Sequence, residues 1–150
     1  MHRTRIAILA AAAALALPCT AAAQRGQVAA PEFIAAGPNA PFSQAVRVGR
    51  TIYLSGMLGM TADGQLVTGG IQAETRQTLE NITAALQPLG ATMDDVVKCT
   101  VFLADMAEWP AMNEVYVTYF PKNKPARSAV AVSGLARNAR VEIECIAVRR

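Results

Sequence analysis

Two stretches of this chain alternate regularly enough to define a β-sheet and to say what must lie on each of its faces. Along Val96–Leu103 and Val141–Val148, successive side chains point to opposite sides. One side then carries Val97, Cys99, Val101 and Leu103 from the first stretch and Val141, Ile143, Cys145 and Ala147 from the second. Two further strand-like stretches add Ile52 and Leu54 from Thr51–Ser55, and Ser128, Val130 and Val132 from Arg127–Val132. That face is almost purely apolar. The other carries Lys98, Thr100 and Phe102; Glu142, Glu144, Ile146 and Val148; Tyr53 and Ser55; and Arg127, Ala129 and Ala131. It mixes large apolar groups with charges.

Two amphipathic helices are available to cover such a sheet. Ile71, Thr75, Leu79, Ile82, Leu86 and Leu89 recur at helical spacing, which predicts a helix over 71–89 between Gly69-Gly70 and Gly90. Trp109, Met112, Tyr116 and Tyr119 form the stripe of a second helix that Pro121 ends. Ser43–Val48 and Thr51–Ser55 pair as a hairpin across Gly49-Arg50, and the last two strands are joined by a turn around Asn138. The order β-β-α-β-α-β-β predicts an α+β fold with both helices on one face of a mixed sheet. No helix remains for the mixed face. An apolar surface of that size marks an interface, so that face is expected to be buried in a homo-oligomer. Charges enclosed there must be paired or must hold a ligand.

The N-terminus reads as an export signal. Met1–Arg5 is basic, Ile6–Leu17 is apolar but too short to span a bilayer, and Ala21, Ala22 and Ala23 supply small residues for a peptidase. Cleavage is expected after Ala23, delivering a periplasmic or secreted protein that has no membrane segment once the leader is removed. Residues 24–31 read as a flexible spacer and 32–150 as one domain. The formal charge of +3 includes Arg3 and Arg5, so one excess positive charge remains after cleavage. No basic stripe of the kind that holds nucleic acid is present. The single His is His2, in the leader, which excludes His-based triads and His-metal sites from the mature chain. Cys99 and Cys145 fall on the apolar face. They read as small buried hydrophobes or, if their strands are neighbours in register, as an oxidised pair in the exported location. Asn81-Ile82-Thr83 matches a glycosylation sequon but falls within the first helix.

Chemistry concentrates on Arg127, Glu142 and Ser55, which parity places on the same mixed face. Arg offers a planar set of donors matched to a carboxylate. Glu can hold or deprotonate a water. Ser55 can hydrogen-bond a polar atom, and Gly56 permits close backbone approach. A cross-strand Arg127–Glu142 ion pair that only stabilises the sheet is the competing reading.

The segments APFSQAVRVGRTIYLSGM (40–57), GGIQAETRQTLENITAAL (69–86), DDVVKCTVFLADM (94–106), MNEVYVTYF (112–120), PARSAV (125–130) and VEIECIAVRR (141–150) resemble, in that order, the RidA/YjgF/UK114 family. The resemblance covers nearly all of the chain from Pro31 onward. It implies a chorismate-mutase-like α+β fold, a homotrimer with ligand clefts between subunits, and hydrolysis of reactive 2-enamino/2-imino acids to 2-oxo acids and ammonia without metal or organic cofactor. By position, it implies that Arg127 clamps the substrate carboxylate, that the Ala129 backbone adds hydrogen bonds, that Glu142 activates water, and that Ser55 and Asn113 contact ligand or order the cleft. Phe42 stands where the family often has Tyr, Met57 where it commonly has Gln, and Ala129 where Cys or Thr is frequent. These departures imply a thinner polar wall and a more apolar pocket. Two other functions compete: a non-catalytic trimeric binder or holdase of the envelope, and the endoribonuclease activity attributed to some relatives. The low charge excess and the missing His argue against the latter.

Overall fold

The computed structural model describes residues 29–150, so the leader and most of the spacer lie outside the described residues. The strands are β1 (Glu32–Ala35), β2 (Ser43–Val48), β3 (Thr51–Leu54), β4 (Met57–Leu58), β5 (Val96–Leu103), β6 (Ala126–Ala131) and β7 (Val141–Val148). Helix α1 spans Gly70–Leu86 and α2 spans Trp109–Tyr116. The strands form one sheet in the order β1-β2-β3-β7-β5-β6, with β4 also paired to β7. All pairings are antiparallel except β5 with β6. A mixed sheet with two helices is the α+β arrangement expected.

The stripe predicted for the first helix is the one that packs. Ile71, Thr75, Leu79, Ile82, Leu86 and Leu89 are all buried, and Thr75 avoids a polar penalty by donating to the Ile71 carbonyl at 2.7 Å. The α-helix itself stops at Leu86, and Gln87–Leu89 continues as a 3-10 turn into left-handed Gly90. Beneath the helices lie Cys99, Val101, Leu103, Val141, Ile143, Cys145 and Ala147, all buried. The opposite face has no helix over it among the described residues, and Tyr53, Val130 and Val148 are exposed there.

Two expectations need correction, and one open alternative is decided. Arg127 and Ala129 do not share a face with Glu142. In the parallel β5–β6 pair Arg127 lies beside Cys99 and Ala129 beside Val101, so both project to the helix side, while Ser128 and Val130 project to the open side. A strand of mostly small residues has no apolar contrast of its own, and its neighbour sets its phase. Second, Val97 is exposed and Val96 is buried, because the register shifts by a bulge between Val96 and Lys98. Of the two readings of Cys99 and Cys145, the oxidised pair holds, and both residues are buried in the core. They face each other across β5 and β7 and form a disulfide, with Cα atoms 4.1 Å apart.

β1 and β4 were not expected as strands. β1 pairs with β2 along the sheet edge. β4 continues the line of β3 along β7 after a break at Ser55-Gly56.

Candidate functional site

At the break between β3 and β4, Gly56 lies against Glu142. A Cβ at Gly56 would stand 1.8 Å from Glu142 Oε1, so only glycine lets the Glu142 carboxyl lie against the backbone there. Ser55 precedes it and donates from Oγ to the Ser43 carbonyl at 2.6 Å, which ties the end of β3 to β2. The β4 segment is held from the other side. Asn81 Nδ2 donates to the carbonyls of Leu58 and Met60, both at 2.9 Å, and its Oδ1 accepts from Gln77 at 3.0 Å. The sequon asparagine is therefore engaged in fixing this loop. Gly59 completes the attachment, since a Cβ there would meet the Glu74 backbone at 2.8 Å.

Ser55, Gly56 and Phe42 line one cleft of about 790 Å³, together with Met57, Met60 and Pro88. Phe42 is 59% exposed at its mouth. Glu142 is half-buried beside Gly56. Desolvation, and secondly the like charge of Glu144, push its carboxyl pKa above the ordinary glutamate value. A carboxylate whose basicity is raised in this way is suited to taking a proton from water.

Arg127 sits in a different place. It lies on β6, at the far edge of the sheet, and extends under α2. Its Nη1 donates to Asn113 Oδ1 at 2.9 Å, and its guanidinium carbon lies 4.4 Å from the Tyr116 ring centroid and 5.8 Å from that of Trp109. Asn113, Tyr116, Lys124 and Arg127 line a cavity of about 240 Å³. Ala129, two residues on, is half-buried and packs against the core. The family resemblance implies Asn113 but not the two aromatic residues, whose spacing in the sequence is that of a core-facing stripe. Burial raises the Tyr116 phenol to about 12, with the Arg127 charge opposing.

The seven expected site residues thus divide into two groups. Phe42, Ser55, Gly56 and Glu142 lie together; Asn113, Arg127 and Ala129 lie together. Between Glu142 on β7 and Arg127 on β6 stands β5, and the two side chains leave the sheet on opposite faces. The structural alternative, an Arg127–Glu142 ion pair within one chain, is excluded by the same geometry. A further cluster not anticipated from the sequence joins Arg140 to Glu108 and to buried Glu74, whose Oε2 accepts from the Arg140 backbone N–H at 2.8 Å. It fixes the start of α2 and the entry to β7.

Comparison with known proteins agrees with this architecture. The chain is 50% identical over 110 residues to a mouse protein named 2-iminobutanoate/2-iminopropanoate deaminase, covering 73% of this chain and 82% of the mouse one. Among solved structures, RidA from an Antarctic Psychrobacter is 39% identical with a TM-score of 0.71, over 75% of this chain and 91% of that one. Escherichia coli TdcF, crystallised with bound serine, is 33% identical with a TM-score of 0.71, over 76% and 92%. The sequence profile of the Endoribonuclease L-PSP family matches residues 33–149, and with these relatives it makes the chain a member of that family, the RidA/YjgF/UK114 proteins.

Proposed function

We infer that this protein is an enamine/imine deaminase whose site is assembled between subunits of a homotrimer. The observation that carries the reading is the division of the site residues. Among the described residues, one half offers a cation with free donors and no base, and the other offers a carboxylate against a glycine gap and no cation for a substrate carboxylate. Either half alone is incomplete, and a second copy packed against the uncovered sheet face would bring its complementary half. Relatives of about half identity are named for this activity, and one structural relative holds an amino acid.

The chemistry asks little of the protein. The C=N carbon of a 2-imino acid is already electrophilic, so orientation and a positioned water account for most of the acceleration. Arg127 of one subunit binds the substrate carboxylate through two parallel N–H donors. Glu142 of the next subunit takes a proton from water as its oxygen bonds to the imine carbon. The nitrogen, protonated, leaves as ammonia when the carbinolamine collapses to the 2-oxo acid. Ser55 and the Gly56 backbone lie beside the attacking water, while Phe42 and Met57 border the substrate side chain.

The location we propose is the periplasm or the exterior, supported by the order of residues 1–23 and by a disulfide buried in the core. Ammonia and 2-oxo acid release is measured with imino acids generated in situ by an amino-acid oxidase. Release no faster than the uncatalysed rate would leave only a carboxylate-binding protein. Retention of Met1 in exported material would refute the leader.

A further inference from the structure

We propose that Tyr116 and Trp109 are positioning residues for Arg127, forming an aromatic shelf that fixes the plane of the guanidinium so that its free donors meet the substrate carboxylate. This rests on the reading of Arg127 as the carboxylate clamp.

An arginine has four rotatable side-chain bonds, and bidentate recognition is lost when its plane turns. A protein usually fixes that plane with a carboxylate, which would also neutralise the charge the substrate needs. Here no carboxylate pairs with Arg127 among the described residues. The neighbours are neutral: the Asn113 oxygen at 2.9 Å, the Tyr116 ring at 4.4 Å and the Trp109 ring at 5.8 Å. Aromatic faces attract a cation without cancelling its charge. One N–H is committed to Asn113, and the others remain for an anion.

All three neighbours come from one face of α2, at 109, 113 and 116, a spacing of four and three residues. The ion cluster at Glu108 anchors the helix directly before Trp109. Phe120 packs against the Tyr116 ring, with centroids 4.8 Å apart. Tyr116 works through its ring and not its hydroxyl, because the hydroxyl is buried with no hydrogen-bond partner among the described residues and the residue is only 5% exposed. Trp109 is 38% exposed and so lies less deeply packed than Tyr116.

The test uses the full-length mature protein with Tyr116→Phe, Tyr116→Leu, Trp109→Leu and Arg127→Lys. Loss of one ring should raise KM for the imino acid, and Kd for 2-oxobutanoate, by roughly threefold to thirtyfold, with a much smaller change in kcat. Tyr116→Phe, which keeps the ring, should restore both constants. In the Arg127→Lys background the Leu substitutions should have far less effect, since the fixed plane no longer matters. Trp109 is the only tryptophan, so its fluorescence should respond to 2-oxobutanoate in the parent and not in Arg127→Ala. Both Leu variants binding 2-oxobutanoate as tightly as the parent would overturn the shelf. So would losses that follow melting temperature and are equal in the Arg and Lys backgrounds. Full activity of a folded Arg127→Ala protein would instead overturn the clamp itself.

Discussion

Removing the Cys99–Cys145 disulfide should cost this protein a large part of its stability, and its placement says which part of the fold suffers. The bond closes a loop of 46 residues. In the chain-entropy description, a loop of that length constrains the unfolded state by about 4 kcal/mol. Domains of this size have only about 5–15 kcal/mol in total. The closed loop contains α2 and β6, and so every residue of the Arg127 cradle: Trp109, Asn113, Tyr116, Arg127 and Ala129. Both sulfurs are buried, so replacing the pair by alanine adds a packing loss of about 1 kcal/mol for each.

Cross-link and packing are separable by comparing three forms at one chain concentration: oxidised parent, parent reduced in denaturant and refolded without oxygen, and Cys99→Ala/Cys145→Ala. A loss of 4 kcal/mol corresponds to roughly 12–20 °C in melting temperature for a domain of this length. The oxidised form should melt highest, the reduced form well below it, and the double variant slightly lower still. The concentration must be fixed because assembly stabilises the folded subunit by mass action. Thiol titration of the unfolded parent lacking residues 1–23, and so Cys19, should find no reactive cysteine before reduction. Oxidised and reduced parents melting within about 2 °C of each other, or two free thiols in exported material, would refute the argument.

Arg127→Lys should damage kcat/KM almost as much as Arg127→Ala, by about tenfold to a hundredfold, because Lys keeps the charge but loses the parallel donors; a mild Lys effect in steady-state assays would contradict bidentate binding. The raised pKa of Glu142 places the acid limb of kcat/KM above that of an ordinary glutamate, and Glu144→Gln should move the limb to lower pH by removing the neighbouring charge. The same shift opposes folding above that pKa and disappears as pH falls through it, so Glu142→Gln should raise the melting temperature at neutral pH and not in acid. Phe102→Glu should weaken assembly, read by light scattering, since it sets an unpaired charge on the sheet face proposed to be enclosed.

The parts of the fold that were legible from sequence are those where local contrast is strong. The 71–89 stripe alternates large apolar with polar side chains over five turns, and every stripe residue is buried. The two-sided character of β5 and β7 was legible for the same reason, as was the role of Gly56, since a glycine next to a site serine marks close approach. What failed was phase and adjacency set by partners far along the chain. Ala126, Ser128, Ala129 and Ala131 give β6 no apolar side, so only its parallel pairing with β5 turns Arg127 toward the helices. The bulge at Val96 and the two-residue β4 leave no periodic trace. Trp109 and Tyr116 were seen as a stripe, but a ring that supports a guanidinium and a ring that fills a core have the same spacing.

The corrected position of Arg127 makes the proposed intersubunit site countable. Arg127 and Glu142 leave one chain on opposite faces and at different strands, so the proposed cleft would take them from different subunits. Inactive Arg127→Ala and inactive Glu142→Gln subunits, unfolded together in equal amounts and refolded, should then complement each other. A cleft works when its arginine comes from a Glu142→Gln chain and its glutamate from an Arg127→Ala chain. In a randomly mixed ring each condition holds half the time, so about a quarter of the clefts recover. Activity should rise from near zero to about that fraction of the parent, and refolding the two variants separately before mixing should give none until subunits exchange. The double variant mixed with parent gives a second check, because random mixing again leaves about a quarter of clefts with both groups intact, whereas a site within one chain would leave half. No recovery in the first mixture, with half the parent activity in the second, would place both residues in one subunit's site and refute the assembly drawn from the sheet.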